Sequence, residues 1–288
     1  MIYDYPKFSE ISLDDRDVLH PLFQRLDEGI SEFTFANIYL FRKNHHYKIS
    51  RIRDDLYLIT GHDNGEPFFI LPFGLPEPEM LQKLFLEFHG MKIVSENQAK
   101  LLTRLGYSVK EDRDNFDYLY TRTDLAGLPG RKFSKKRNLV KLFVNNHNYR
   151  ACPLFDSYRE DALSILEKWC RDRDDIGDCD AAREALEKMQ TLQLCGTIYY
   201  VDDQPVAFTL GEELVKETSY VIHFEKAVGN YKGLYQFINK AFASMLPECY
   251  KTINREQDLG NEGLRHAKMS YKPIGFIKKY RCFFRVHS

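Results

Sequence analysis

The chain has 288 residues, enough for two domains of ordinary size, with 43% hydrophobic and 29% charged residues, the composition of a globular protein with a full core. Its 41 basic and 42 acidic side chains leave a net charge of −1. That excludes the basic excess of a protein devoted to gripping nucleic acid and confines any such contact to a local patch. No apolar run approaches the ~20 residues that span a bilayer. The opening MIYDYPKFSE has neither the basic nor the apolar region of a signal peptide. Cys152, Cys170, Cys179, Cys195, Cys249 and Cys282 form no CxxC pair, which predicts reduced thiols in a cytoplasmic protein.

In chain order, Ser12-Leu13-Asp14-Asp15 caps a first helix carrying Val18, Leu19, Leu22, Phe23 and Leu26. Pro21 leaves one helix or two short pieces open. A second helix is predicted from Phe33 to Arg42. Strands are expected over Tyr47 to Ile52, Leu56 to Thr60 and Phe68 to Pro72, the last two flanking the hairpin signal His62-Asp63-Asn64-Gly65. Leu81, Leu84, Phe85 and Phe88 mark an amphipathic helix that Gly90 can end. Leu105 to Tyr107 and Phe116 to Thr121 read as further strand edges. Leu125 to Gly130 reads as a loop joining two domains, placed at 1–130 and 131–288.

After a helix from Phe133 to Asn145, the second half predicts a strand at Tyr149 to Leu154, helices around Ala162 to Trp169 and Ala181 to Gln193, and a hairpin of Thr197 to Val201 with Val206 to Leu210. A strand at Ser219 to Phe224 runs into a loop with Gly229 and Gly233. A helix with Phe237, Ile238, Ala241, Phe242 and Met245 follows. The chain closes with a strand at Lys251 to Asn254, a helix at Asn261 to Tyr271 and a strand at Phe276 to Arg285. Strands alternating with helices imply a mixed sheet covered by helices, an α/β class. The first half gives a shorter version of the same order.

The helix that ends in Tyr271, followed by Lys272-Pro273-Ile274 and Gly275-Phe276, resembles the common ending of the GNAT N-acyltransferase superfamily. A more specific likeness spans nearly the whole chain. Phe224-Glu225-Lys226-Ala227, Asn254-Arg255-Glu256-Gln257-Asp258-Leu259-Gly260 and Glu262-Gly263-Leu264-Arg265 through Lys268, Tyr271 and Pro273 are similar to relatives of the C-terminal domain of phosphatidylglycerol lysyltransferase. Asp117 to Tyr120, then Leu128, Gly130, Lys132 and Lys136-Arg137-Asn138, belong to the same pattern. This resemblance implies two tandem GNAT-like domains. It places the chain near Fem-type transferases, which move amino acids from aminoacyl-tRNA.

Transfer of this type needs a bound donor, a base for the acceptor's proton and a group to protonate the leaving group. GNAT donors lie where central strands part, at the N-terminus of the next helix, where free N–H groups favour anions. That place is Gly229, Asn230, Lys232 and Gly233, a donor cradle or an ordinary loop, and its glycine spacing is not that of the acetyl-CoA loop. His223 and Glu225 alternate to one face of their strand. Glu225 is a candidate general base or a structural partner of Lys226 or Arg255. Tyr271 corresponds to the GNAT tyrosine that serves as general acid, or packs in the core. Arg255, Glu256 and Asp258, at a strand end, are candidate substrate ligands. Arg265, Lys268 and Lys272 form a basic stripe on the next helix, to bind a phosphate or carboxylate of a substrate or to pair with Glu256, Asp258 and Glu262.

The acid-free stretch around Lys135, Lys136 and Arg137 is the candidate surface for tRNA or another polyanion, or else a packed connector helix. Asp172 to Gly177 starts like a calcium loop, but Ile176 and Arg183 occupy ligand positions. The histidines are scattered, and the adjacent His45-His46 cannot share a strand face, so no metal site is expected. These readings converge on an acyl- or aminoacyl-transferase without a resident cofactor. Its donor would be aminoacyl-tRNA or acyl-CoA, and its acceptor an amine or hydroxyl on a small molecule or peptide. A CoA-dependent N-acetyltransferase and a non-catalytic binding protein on the same fold are the alternatives.

Overall fold

A computed structural model describes residues 1–63, 65–172 and 177–284. Asn64 of the hairpin, most of the calcium-like stretch (173–176) and Arg285 of the closing strand lie outside these residues. Two compact units emerge: Met1–Asp117 with Gln257–Asn261 and Phe276–Ser288, and Tyr118–Glu256 with Glu262–Gly275. The division thus falls before residue 130, and the end of the chain goes to the first unit.

In the first unit, β1 (Ser9–Glu10) precedes a 3-10 turn and α1 (Arg16–Phe23), which buries Leu19, Leu22 and Phe23. Asp15 accepts from the Ser12 backbone at 2.8 Å. Pro21 sits inside this helix near its end, so it removes a single backbone donor and one helix forms. α2 (Phe35–Leu40) starts where Thr34 accepts from Asn37 N at 3.0 Å, and all six of its residues are buried. β2 (Lys48–Arg53), β3 (Leu56–Asp63) and β4 (Glu66–Ile70) form an antiparallel meander. α3 (Pro78–Glu87) packs Leu81, Leu84 and Phe85 inward.

Gly90 does not end that helix. It opens β5 (Gly90–Val94), where a Cβ would lie 2.9 Å from the Cys282 carbonyl, so glycine serves a close strand approach. α4 (Glu96–Arg104), absent from the sequence reading, is held by a reciprocal Ser95–Gln98 capping box and buries Ala99 and Leu102. β6 (Ser108–Glu111) follows. The sheet order is β1-β2-β3-β4-β5-β14-β6, with β14 (Tyr280–Phe283) inserted between β5 and β6. That pairing is why the final strand belongs here.

The second unit takes β7 (Asp117–Thr121) from Tyr118 onward. The expected linker is in part helical: α5 (Arg122–Gly127) is capped by Thr121, whose side chain accepts from Asp124 N. Then come α6 (Ser134–Asn146), β8 (Tyr149–Pro153), α7 (Arg159–Arg171), α8 (Cys179–Glu187), β9 (Cys195–Val201), β10 (Gln204–Val215), β11 (Ser219–Ala227), α9 (Leu234–Met245), β12 (Thr252–Asn254) and α10 (Glu262–Met269). Their strands run β7-β12-β11-β10-β9-β8, and β13 (Gly275–Ile277) is divided between the units. Ile198, Phe208, Leu210, Val221 and Ile238 lie in the core.

Not all the cysteines are free thiols. Cys170 and Cys179 form a disulfide with their Cα atoms 6.2 Å apart, while Cys152, Cys195, Cys249 and Cys282 are free. The bridge joins the end of α7 to the start of α8, a proximity that sequence spacing does not reveal. No helix among the described residues is long and apolar enough to cross a membrane.

Candidate functional site

β11 and β12 are parallel, but their ladder is short: Ser219, Tyr220 and Val221 face Thr252, Ile253 and Asn254. β11 continues to Ala227, whereas the other strand ends at Asn254. Beyond Val221 the two strands part, and polar groups from both collect there. The carboxyl ends of adjacent parallel strands are where α/β sheets place ligands.

β11 is bulged at His223, with Phe224 opposite Leu210 but Ile222 opposite Gly211, so the strict alternation expected to carry His223 to the face of Glu225 is interrupted there. His223 is 1% exposed and sits between two carboxylates, with Nε2 2.9 Å from Glu212 Oε1 and Nδ1 2.8 Å from Glu256 Oε1. Burial disfavours the imidazolium, but hydrogen bonds and charge from Glu212 and Glu256 outweigh it and push the pKa up to about 10. At neutral pH this ring is therefore a cation donating from both nitrogens. Glu225 Oε1 accepts from Arg255 Nη2 at 2.9 Å, with the two side chains 11% and 13% exposed. Its other oxygen, Oε2, is buried and accepts no hydrogen bond.

Arg255 is fixed from several sides. The Asn239 amide, oxygen toward it, accepts from Nε at 3.3 Å and Nη1 at 2.8 Å. The guanidinium also lies 5.4 Å from the Tyr271 ring centre. Glu256 adopts φ 53°, a left-handed conformation that costs a side-chain-bearing residue energy unless its surroundings enforce it. Here its N–H donates to Asn254 Oδ1 at 2.7 Å, and its carbonyl accepts from Lys268 Nζ at 3.1 Å. Lys268 also donates to the Arg255 carbonyl at 2.5 Å, and the Tyr120 hydroxyl donates to the Lys268 carbonyl at 2.8 Å. Tyr271 is buried, which raises its hydroxyl pKa, so the phenol is protonated at neutral pH. Lys136 Nζ rests 4.1 Å over its ring, and burial lowers that ammonium's pKa.

The structure thus joins Glu225, Arg255, Glu256, Lys268 and Tyr271, and adds His223, Glu212 and Asn239. Arg265 stands half-buried one turn before Lys268 on α10. Asp258 falls in the first unit, where it is fully buried, 3.3 Å from Arg113, and accepts from Gly260 N at 2.9 Å. The glycines of the expected donor loop answer to packing. A Cβ on Gly233 would strike the Leu139 carbonyl, and one on Gly229 would lie 2.6 Å from the Tyr231 ring. Asn230 and Lys232 are exposed. On α6, Lys135 is exposed, while Arg137 donates to the Leu128 and Gly130 carbonyls at 2.5 and 2.6 Å. The packed-connector reading describes Lys136 and Arg137.

Glu212 escaped the sequence reading. Its signal was a carboxylate inside the buried run of β10, which demands a charged partner. A second cluster was also missed, in the first unit. Lys279, 1% exposed, donates to Asp117 Oδ1 at 2.7 Å, to Ser31 Oγ at 3.3 Å and to Glu32. Among the described residues no group of His, Cys, Asp and Glu forms a metal site.

This fold has known counterparts. The family described as "Phosphatidylglycerol lysyltransferase, C-terminal" matches residues 23–283. The chain belongs to that family. A conserved protein of unknown function from Bacteroides thetaiotaomicron VPI-5482 is 32% identical, with 99% of this chain and 100% of that one covered and a TM-score of 0.87. The C-terminal domain of a lysylphosphatidylglycerol synthetase from Agrobacterium fabrum is 12% identical over 94% of this chain and 92% of that one, with a TM-score of 0.69. A curated protein of Mycoplasmoides gallisepticum is 26% identical over 181 residues, 60% of this chain and 56% of that protein, so the match spans little more than half of that relative. A tandem GNAT protein of clavulanic acid biosynthesis and FemX share the fold at TM-scores of 0.52 and 0.55. The architecture is a tandem GNAT-like fold. Family and fold together point to an acyl- or aminoacyl-transferase.

Proposed function

We propose that the second unit transfers an aminoacyl group from aminoacyl-tRNA to an amine or hydroxyl, with Glu225 as general base. The observation that carries this reading is the unsatisfied Glu225 Oε2. A buried acceptor without a partner costs about 1–3 kcal/mol, which a substrate N–H or O–H donor would recover. Arg255 holds the other oxygen, so the carboxylate is oriented before any substrate arrives.

In this reading the acceptor's N–H or O–H donates to Oε2, and the proton passes to Glu225 as the acceptor attacks the ester carbonyl. Tyr271, a phenol at neutral pH, protonates the leaving hydroxyl. Exposed Lys135 offers a cation to tRNA. The lysyl group in the family's name makes lysyl-tRNA the first donor to test. The alternative donor, acetyl-CoA, has less support, because Gly229 and Gly233 lack the glycine spacing of the acetyl-CoA loop.

The test incubates the full chain with lysyl-tRNA carrying labelled lysine, or with acetyl-CoA, each with phosphatidylglycerol vesicles or small amines as acceptor. Label leaving tRNA for an acceptor supports the proposal. Consumption of acetyl-CoA alone replaces it with the acetyltransferase reading. Turnover of neither donor removes the catalytic reading.

A further inference from the structure

Cys170 lies near the end of α7, Cys179 opens α8, and their disulfide ties the two helices together in the second unit. The residue before each cysteine holds one and the same ammonium. Lys226 Nζ rests 3.7 Å from the ring centre of Trp169 and donates to both Asp178 carboxylate oxygens, at 2.6 and 2.7 Å. The Lys226 side chain is 6% exposed, so its charge is out of water and depends on the groups that hold it. The bridge thus fixes the spacing of the two groups, one per helix, that grip Lys226. Nothing in the proposed transfer uses the bridge or this ammonium.

The bridge is also placed so that one of its sulfurs can be attacked. Cys170 is half-buried, whereas Cys179 is buried, so Cys170 is the one an outside thiolate reaches. Attack there makes Cys179 the leaving group. Cys179 is the first residue of α8, where free N–H groups and the positive end of the helix favour a thiolate. A stabilised leaving thiolate speeds exchange.

We propose that Cys170–Cys179 is a thiol–disulfide exchange site for a dithiol reductant, and that its state sets how firmly Lys226 and the end of β11 are held. A thiolate of the reductant attacks Cys170 Sγ, the S–S bond breaks, and Cys179 leaves as a thiolate that takes up a proton. The second thiol of the reductant then displaces Cys170, which is protonated in turn, and the reductant ends as a disulfide. Two electrons and two protons have passed to the protein. With the bridge open, Trp169 and Asp178 lose the covalent link that keeps them together around Lys226. Lys226 directly follows Glu225 on β11; they stand opposite Phe208 and Thr209 of β10. Their side chains face opposite ways, but they share one stretch of backbone, so a looser Lys226 loosens the segment that carries Glu225.

Hydrogen exchange read by mass spectrometry tests this on the full chain, oxidised and after dithiothreitol treatment without denaturant. Alkylation maps the thiols. Cys170 and Cys179 should become alkylated only after reduction, while exposed Cys195 and Cys249 react in both states. The amides of Phe224 to Ala227 should exchange about tenfold faster or more once the bridge opens, and those of β9 should keep their rates. Asp178→Asn leaves the bridge intact and withdraws the charge from Lys226. It should speed exchange at the same β11 amides in the oxidised chain and leave little further response to dithiothreitol. A bridge that resists dithiothreitol until the chain unfolds overturns the proposal, as does reduction that leaves β11 exchange unchanged. Equal acceleration throughout the second unit would make the bridge a staple of the fold. A full response to reduction in Asp178→Asn would show that the coupling does not run through Lys226. Each of these readouts is independent of aminoacyl transfer.

Discussion

Each unit buries a cluster of charges, and the two clusters are finished differently. In the first, the three ammonium hydrogens of Lys279 meet three acceptors, on Asp117, Ser31 and Glu32, and Ser31 N also donates to Asp117 Oδ2 at 2.9 Å. Its residues come from distant stretches of sequence, and their common partner ties those stretches together. In the second, His223 stands between Glu212 and Glu256, Glu225 pairs with Arg255, and Lys268 donates to the Arg255 and Glu256 carbonyls. Yet one oxygen, Glu225 Oε2, is left over. A closed cluster is a strut. In the proposed reading, a cluster that leaves one acceptor open keeps a place for a substrate.

The largest effect expected from this contrast is on stability, in the first unit. Lys279→Met should strand Asp117 and Glu32 without their cation and cost about 3–5 kcal/mol in urea unfolding. A loss below about 1 kcal/mol would mean that the cluster is not a strut and would erase the comparison.

Next in size is a pH effect in the second unit. The folded pKa of His223 is raised to about 10, above the ordinary histidine value of about 6.5. A raised cationic pKa contributes stability that is complete below pH 6.5 and is lost as pH climbs through 10. Unfolding free energy should therefore fall by about 3 kcal/mol or more across that interval. His223→Gln should flatten the decline, and an unchanged slope in that variant would assign it to other groups.

A smaller loss, about 2–3 kcal/mol, should follow replacement of Cys170 and Cys179 by serine, because their bridge closes a short loop. Equal urea midpoints for the variant and the parent would show that the bridge does not constrain the unfolded chain.

How much of this was legible depended on range. The face of α3 is written in Leu81, Leu84 and Phe85, whereas the alternation expected to put His223 and Glu225 on one face is interrupted by a bulge at His223 that no local signal marks. The end of β12 and the start of α10 were readable enough to bring Arg255, Glu256, Lys268 and Tyr271 together. α4 was missed although Ser95 and Gln98 spell its capping box, because its apolar stripe is thin: Ala99 and Leu102 are its buried apolar residues. The place of β14 was not legible, since alternation tells a strand which way its side chains face and not which strands will flank it. Glu212 and Asn239 join the site across the sheet and from α9, and nothing local marks such partners. Asp258 was misplaced for the opposite reason. It follows Glu256 closely in sequence, but its buried side chain is 3.3 Å from Arg113 in the other unit's cluster of contacts.

The most direct test of the contrast between strut and site is Glu225→Gln, read in one preparation by aminoacyl transfer from lysyl-tRNA and by urea unfolding. The amide keeps an oxygen for Arg255 and removes the proton acceptor. The account predicts that turnover falls about 10²–10⁴-fold while stability stays within about 1 kcal/mol of the parent. Unchanged turnover, or a stability loss like that of Lys279→Met, would contradict it and make the second cluster a strut as well.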